Sequence, residues 1–302
     1  MLVQMAPYHT PVLLEESITG LNIRPDGIYV DLTYGGGGHS NAILQRLKTG
    51  KLIAFDQDED VLSQVVSHPA FTLRIQNYRY LKNNLDFLQI SRVNGILADL
   101  GVSSHQFDES DRGFTFRNDA PLDMRMNQLG DLSAADVINR YPQQKLIRIF
   151  REFAEIKHPE KFVDAIIFSR EKVPLKTSGA LADLVRGFFP GKFQNKILAR
   201  IFQALRIEVN HELDSLREML QQTVEVLEPG GRLVVIAYHS LEDRLVKNFM
   251  KFGRFDQPND LLGRGYEKPF QVITKKVITP SAEEVRRNPR ARSAKLRIAE
   301  KI

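Results

Sequence analysis

The chain has 302 residues, enough for roughly two domains, and 42 Lys and Arg against 37 Asp and Glu give it a net charge of +5. It contains no cysteine, which excludes disulfides, thiolate zinc sites, iron–sulfur clusters and a cysteine nucleophile. The start, Met1-Leu2-Val3-Gln4-Met5-Ala6-Pro7, lacks the basic and apolar regions of an export signal, and apolar stretches such as Leu233-Val234-Val235-Ile236-Ala237 are too short to span a bilayer. A soluble, cytoplasmic protein without membrane contact is expected.

Two periodicities alternate through the first hundred residues. Gly27 to Leu32 reads as a buried strand, and four glycines, Gly35 to Gly38, lead into a short helix with Ile43, Leu44 and Leu47 on one face. Leu52 to Asp56 predicts a second strand and Glu59 to Ser67 a second helix. Phe71 to Ile75 is a third strand, Tyr80 to Ile90 a third helix, and Asn94 to Leu100 a fourth strand. Strands interleaved with helical segments of about ten residues predict right-handed βαβ crossovers and a parallel sheet.

The pattern breaks after Ser104. Asp108 to Gln128 has no clean period and carries the aromatic–basic stretch Arg112-Gly113-Phe114-Thr115-Phe116-Arg117. Helical patterns follow at Ser133 to Arg140, Gln143 to Glu155, Glu160 to Lys172, Ser178 to Phe189 and Asn195 to Leu227. Strand character returns at Gly231 to Tyr238, with a helix from Leu241 to Phe252. Two β-like segments, Phe270 to Thr279 and Ser293 to Ala299, flank a helical turn near Ala282 to Arg287. The economical account is one α/β domain, residues 1–107 and 213–302, interrupted by a helical insert over residues 108–212. A final antiparallel pair closes the sheet edge.

The strongest local chemistry is Asp31-Leu32-Thr33-Tyr34-Gly35-Gly36-Gly37-Gly38-His39-Ser40. Glycines between a first strand and first helix let the backbone turn sharply and approach a ligand closely. Asp56, twenty residues after Gly36 at the end of the second strand, can accept from both hydroxyls of a ribose. Dinucleotide and S-adenosylmethionine sites share this pairing. The dinucleotide fingerprint wants Gly or Ala where this chain has Ser40 or Asn41, and no Gly-Lys-Ser/Thr follows to make a P-loop. S-adenosylmethionine, which has no phosphates to cradle, suits the loop better. His39 reads as a packing or capping residue or as a ligand contact. No two of the seven histidines lie within four residues of each other, so no helical metal pair exists and no metal is expected.

From Val285 to Arg297 there are six basic residues and no acid: Arg286, Arg287, Arg290, Arg292, Lys295 and Arg297. Apolar residues and the Asn288-Pro289 turn interrupt the run, which favours ordered phosphate binding over a solvated tail. Arg287, Arg290 and Arg292 are the candidate RNA contacts. The segment is expected on the other half of the sheet from the glycine loop and Asp56, leaving cofactor binding independent of it.

Further motifs run the length of the chain: Tyr8-His9-Thr10-Pro11-Val12-Leu13, Gly37-Gly38-His39-Ser40, Asp99-Leu100-Gly101-Val102-Ser103-Ser104 and Pro121-Leu122-Asp123-Met124-Arg125-Met126. Phe202-Gln203-Ala204-Leu205-Arg206-Ile207, Tyr238-His239-Ser240-Leu241-Glu242-Asp243-Arg244 and Asn288-Pro289-Arg290-Ala291-Arg292-Ser293 continue the series. In these the chain resembles, essentially end to end, the bacterial small-subunit ribosomal RNA cytosine-N4 methyltransferases of the RsmH or MraW type. The resemblance implies a class I S-adenosylmethionine-dependent methyltransferase fold: Rossmann-like, with a mostly parallel seven-stranded sheet and an inserted all-α substrate-recognition domain. It implies methyl transfer from S-adenosylmethionine to the exocyclic N4 amine of a cytidine in the decoding region of 16S ribosomal RNA, with that RNA or the small ribosomal subunit as partner. It also implies that Gly37, Gly38, His39, Asp56, Tyr78, Asp99 and Gln106 line the cofactor site. Many relatives have Ser-Pro-Gln where this chain has Ser104-His105-Gln106.

N4 methylation needs no covalent enzyme–base bond, so a chain without cysteine is consistent with an amino target and argues against C5 chemistry. The cytosine amine is a poor nucleophile and must be positioned, with acceptors for its N–H groups. Amino methyltransferases generally end the fourth strand with Asp, Asn or Ser, two prolines and an aromatic; here Asp99-Leu100-Gly101-Val102 lacks the last three. Asp99 is placed to contact the cofactor or the amine, or to serve only a turn. Asp123 and the Tyr238-His239-Ser240 turn are candidates for holding the base. An Asp123–Arg125 salt bridge and a structural His239 are the ordinary alternatives. Lys145, Arg148, Arg151, Lys157 and Lys161 of the insert are either phosphate contacts or solvated helix faces. Rival readings are a small-molecule or other RNA methyltransferase, a nicotinamide oxidoreductase disfavoured by the glycine spacing, and a non-catalytic RNA-binding assembly protein with a residual cofactor fold.

Overall fold

A computed structural model describes residues 11–65, 67–257 and 268–302. The segment read for an export signal, and Tyr8, His9 and Thr10 of the first motif, lie outside the described residues. Two compact units emerge: one is the chain up to Gly101 and again Leu213–Ile302, the other Val102–Glu212.

The first unit opens with helix α1 (Leu14–Leu21), which hydrophobic periodicity did not single out because its buried face is only Ser17, Ile18, Gly20 and Leu21. Strand β1 (Ile28–Asp31) follows, then α2 (Gly38–Leu44), β2 (Lys51–Asp56), β3 (Phe71–Ile75), α3 (Leu81–Phe87) and β4 (Val93–Asp99). The helix expected over Glu59 to Ser67 is instead a 3-10 helix, Glu59–Gln64; residue 66 lies outside the described residues. Asp58 caps it through Asp60 N, and the Ser63 hydroxyl donates to the Asp60 carbonyl at 2.8 Å. Such local side-chain bonds compete with α-helical pairing.

The second unit is helical: α4 (Ser104–Asp108), α5 (Ala134–Arg140), α6 (Gln143–Glu152), α7 (Glu160–Lys172), α8 (Ser178–Phe188) and α9 (Gln194–Asn210). Its core gathers Leu146, Phe150, Phe162, Ile166, Leu181 and Ile201, all fully buried. The single long helix expected over Asn195 to Leu227 breaks at His211, whose left-handed backbone (φ 50°) caps α9. Arg206 Nε and Nη2 donate to both oxygens of Glu212 just beyond, at 2.7 and 2.8 Å.

The chain returns through α10 (Glu212–Val226), β5 (Leu227–Ala237), α11 (Ser240–Phe252), β6 (Phe270–Val272), α12 (Ala282–Arg287) and β7 (Lys295–Lys301). Strand β5 begins four residues before the expected Gly231, because Leu227 pairs with Val93 before a register shift brings Arg232 opposite Gly95. The polar Glu228-Pro229-Gly230-Gly231 stretch inside it hides that start from a hydropathy reading.

The seven strands order as β3-β2-β1-β4-β5-β7-β6. The pairs from β3 to β5 are parallel, and β5–β7 and β7–β6 are antiparallel. The mostly parallel sheet with its reversed terminal pair is the class I methyltransferase topology. Continuous buried runs such as Leu233 to Ala237 mark a strand covered on both faces. Chain order reverses at β1/β4, and ligands of such sheets sit at the carboxyl ends beside that switch. Asp31, Asp56 and Asp99 are the last residues of β1, β2 and β4, so three carboxyls stand at the ends of three adjacent strands. Among the described residues no helix is long and apolar enough to cross a membrane.

Candidate active site

The glycine loop is packed too closely for side chains at two of its positions. Gly37 has φ +73°, and a Cβ there would stand 2.8 Å from the Tyr34 hydroxyl. At Gly38 a Cβ would fall 2.1 Å from Pro11 Cγ, a distance that forces something to move. Asp31 below the loop is fully buried; its Oδ2 accepts from Ser40 Oγ at 2.6 Å and its Oδ1 from Thr33 N at 3.1 Å. Burial pushes its carboxyl up to about 7 despite those bonds. Asp56 accepts from Gly35 N at 2.8 Å through Oδ2 and from Asp58 N at 3.0 Å through Oδ1. Burial raises it to about 6.

Asp99 is more tightly arranged than its turn position suggested. Its backbone N–H donates to Thr33 Oγ1 at 2.7 Å, and the Tyr238 hydroxyl donates to its Oδ1 at 2.8 Å. Oδ2 faces His39 Nδ1 at 3.8 Å, and the side chain stays 22% exposed, so this oxygen is the open one. Burial, with Asp31 and Glu242 adding repulsion against the Tyr238 bond, raises the Asp99 carboxyl to about 7. His39 is buried, and its Nε2–H donates to the Val12 carbonyl at 3.2 Å. Burial lowers its pKa to about 4, so the ring is neutral. That bond puts the ring proton on Nε2 and leaves the Nδ1 lone pair toward Asp99.

Tyr78 opens a short 3-10 turn after β3, capped by Asn77, whose Nδ2 donates to Gln57 Oε1 beside Asp56 at 2.7 Å. His239 is the N-cap of α11. Its Nδ1 accepts from Glu242 N at 3.3 Å, and its Nε2 lies 3.2 Å from Glu242 Oε1. Glu242 Oε2 in turn accepts from Tyr238 N at 2.9 Å and His239 N at 3.3 Å. The imidazole thus serves a capping box. In the tyrosine–histidine turn it is Tyr238 that reaches Asp99. The sequence named this turn but held no signal for that partner; nor did it single out Asp31, Thr33 or Ser40, although a carboxylate ending an apolar strand was such a signal.

Within the helical unit, Gln106 is buried and its Oε1 accepts from Ser103 N at 3.1 Å, closing the capping box of α4. Asp123 makes a bidentate pair with Arg125, Oδ1 to Nε at 2.8 Å and Oδ2 to Nη2 at 2.6 Å. Burial would raise its carboxyl, but Arg125 outweighs this and holds it below the usual range. The same Arg125 donates to the Gly130 carbonyl at 2.7 Å, and Asn210 brackets the loop through Met124 O and Met126 N. The ion pair therefore fastens the segment that lacked a periodicity.

A profile of the MraW methylase family matches residues 6–302. The chain belongs to the MraW methylase family. It is 52% identical over 297 residues to the ribosomal RNA small subunit methyltransferase H of Bacteroides thetaiotaomicron, covering 97% of each chain. It is 53% identical over 297 residues to the protein of that name from Flavobacterium johnsoniae, covering 98% of each. S-adenosylmethionine is the cofactor of this methylase, and the residues fit it. Three carboxyls at the ends of adjacent strands disfavour a pyrophosphate, whereas a cation with a ribose diol suits them. Gly37 and Gly38 let Tyr34 and Pro11 pack directly against the loop backbone, and no Gly-Lys-Ser/Thr follows to cradle a phosphate.

In this MraW methylase the sheet order puts β7 on the other half from β1 and β2, as expected, yet the segment before β7 reaches the chain that leads into the glycine loop. Ala291 and Ala294 pack in one core with Val12, Leu13, Ala42 and Ile43. Glu284 Oε1 accepts from Leu13 N at 2.8 Å, one residue from the carbonyl that holds His39. β7 enters the sheet beside β5, and the segment before it shares a hydrophobic core with residues of α1 and α2. Glu284→Ala should therefore weaken cofactor binding about threefold to tenfold, the loss of one net hydrogen bond, as calorimetry would read. Unchanged affinity in the folded variant would show that the Pro11–Leu13 segment needs no such anchor.

Not all six basic residues are available to a partner. Arg297 Nε donates to Asp243 Oδ1 at 2.7 Å and Lys295 lies 3.3 Å from Oδ2, so both fasten β7 to α11. Arg287 pairs with Glu283 on the exposed face of α12. Arg286, Arg290 and Arg292 are exposed.

Proposed function

We propose that this chain transfers the methyl group of S-adenosylmethionine to the exocyclic N4 amine of a cytidine in the decoding region of 16S ribosomal RNA. The observation that carries the reading is Asp99, with one oxygen held by Tyr238 and the other open at the switch point of the sheet. When bound, the cofactor supplies a sulfonium methyl open to nucleophilic attack. Asp56 would hold its ribose, and Gly37, Gly38 and His39 would border it. Asp99 Oδ2 accepts a hydrogen bond from the amine and takes its proton as the new bond leaves that nitrogen positively charged. His39, kept neutral, puts no competing positive charge beside it. The absence of cysteine fits an amino target, and the relatives' names point to small-subunit ribosomal RNA. The compartment that follows is the cytoplasm.

The test is mass-spectrometric mapping of methylated positions on small-subunit RNA from cells with and without the protein, with purified enzyme offered naked RNA, assembled subunits and free cytidine. Loss and restoration of one N4-methylcytidine is the expected result. Methylation of free small molecules but of no RNA would overturn it.

The C-terminal arginines supply the phosphate contacts in this reading. Replacing Arg287, Arg290 and Arg292 together by Gln should weaken RNA binding and flatten its log–log salt dependence by about 0.7–0.9 per lost contact. The Arg287–Glu283 pair is exposed and is worth little against a phosphate. Wild-type affinity with an unchanged slope in the folded triple variant would make the segment purely structural.

A further inference from the structure

We propose that the turn between α8 and α9, from Arg186 to Arg200, is a docking point for an unpaired stretch of RNA, with a base stacked on Phe193 and phosphates on Lys192, Lys196 and Arg200. The proposal rests on the reading that the substrate is RNA, and it adds a surface that neither the glycine loop nor the C-terminal arginines supply.

The turn is rigid while its outer face is bare. Gln194 Nε2 donates to the Arg186 carbonyl at 2.7 Å and the Phe189 carbonyl at 3.0 Å, and Phe193 N donates to the Pro190 carbonyl at 3.0 Å. Phe189 turns inward, its ring 5.3 Å from that of Phe162. Phe193 turns outward and is 51% exposed, with the Lys192 ammonium 5.7 Å from its ring centroid. A Cβ on either Gly187 or Gly191 would meet nothing within 4 Å, so the turn is open at both glycines. Exposing a phenylalanine on a pinned turn gives up burial that the neighbouring Phe189 obtains.

Charge decides which flat group fits. Leu184 to Ile207 contains Arg186, Lys192, Lys196, Arg200 and Arg206 and no acidic residue. Arg186 pairs with Asp183 and Arg206 with Glu212. Lys192 and Lys196 are exposed and Arg200 is half-buried. Lys196 and Arg200 are one turn apart on α9, which begins next to Phe193, and Lys192 stands beside the ring itself. An exposed ring beside a row of cations is how single strands are held without sequence readout. A protein partner would instead need a broad apolar surface.

The test uses the full chain and a fluorescent single-stranded RNA oligonucleotide, with binding read by anisotropy across a salt series. Phe193→Ala should weaken binding about fivefold to a hundredfold, the loss of one base stack, with the salt slope unchanged. Lys192→Gln with Lys196→Gln should flatten the slope by about 1.4, at about 0.7 per single-strand contact. Phe193→Tyr should bind as the parent does, and it keeps the test open if the Ala variant fails to fold. Wild-type affinity and slope in folded Phe193→Ala and in the double Lys variant would overturn this surface, while a parent chain that binds and methylates RNA leaves the functional reading standing. A parent chain that binds no RNA would instead end the functional reading itself. A change in sedimentation of the variants without a change in RNA binding would mark a protein contact and overturn the proposal.

Discussion

Replacing Asp99 by Asn should lower turnover by about a hundredfold or more, while affinity for S-adenosylmethionine changes little. The shape is kept, Tyr238 still has an oxygen to donate to, and only the charge and the capacity to take a proton are lost. Stopped turnover with parent-like cofactor affinity is the signature of an acceptor for the target amine. A parallel fall in affinity would move Asp99 to the cofactor, and no change in either would leave it a turn residue. The pH profile separates these further. Because Asp99 sits at about 7 in the ligand-free protein, only its ionised form can accept from both the tyrosine and the amine. The kcat/KM of the parent should rise with pH up to about 7 and then level off, a limb that reports the free enzyme. Asp99→Asn should lack that limb. Tyr238→Phe removes a bond that favours the ionised form, so it should shift the limb upward in pH while leaving cofactor affinity near the parent value.

Asp56→Ala should weaken S-adenosylmethionine binding roughly tenfold to a hundredfold, corresponding to about 1.5–3 kcal/mol for charge-assisted acceptors. The side chain also ties down Gly35 N and Asp58 N, so part of the loss comes from a loosened loop. A cofactor analogue lacking the ribose 2′-hydroxyl divides the two effects. If Asp56 holds the ribose, the analogue loses affinity on the parent but loses little more on the variant, the non-additivity of a shared contact. Calorimetry with S-adenosylhomocysteine, which shares the ribose, should show the same deficit. Undiminished affinity of the folded variant would remove Asp56 from the cofactor site.

The parts of the site that were readable in the chain share one property: they are local. The strand before the glycine loop, the four glycines, and the carboxylates ending β2 and β4 are each recognised within a dozen residues. A buried parallel strand is a continuous apolar run that stops where the backbone meets the ligand edge. The parts that were not readable are pairings across the fold. Tyr238 is 139 positions from Asp99, and Glu284 is 271 from Leu13; neither separation leaves a trace in periodicity. His239 and Asp123 were open between chemistry and structure because each residue type serves both. Their capping and ion-pair partners were visible in order but not in geometry.

Composition and pattern alone thus determined an α/β sheet with a helical interruption, a glycine loop unsuited to phosphate, and a chemistry independent of thiols. Those follow from chain-local constraints: the period of apolar residues, the torsional freedom of glycine, and which side chains exist at all. Only the tertiary structure decided that Asp99 is held by Tyr238 and that Lys295 and Arg297 are committed to Asp243. It also decided that the C-terminal segment braces the loop before His39. Each depends on the position of β5 between β4 and β7, where parallel pairing ends and antiparallel closure begins. That arrangement is chosen by burial over the whole sheet, because one strand's apolar run fits several neighbours equally well and only the complete packing distinguishes them.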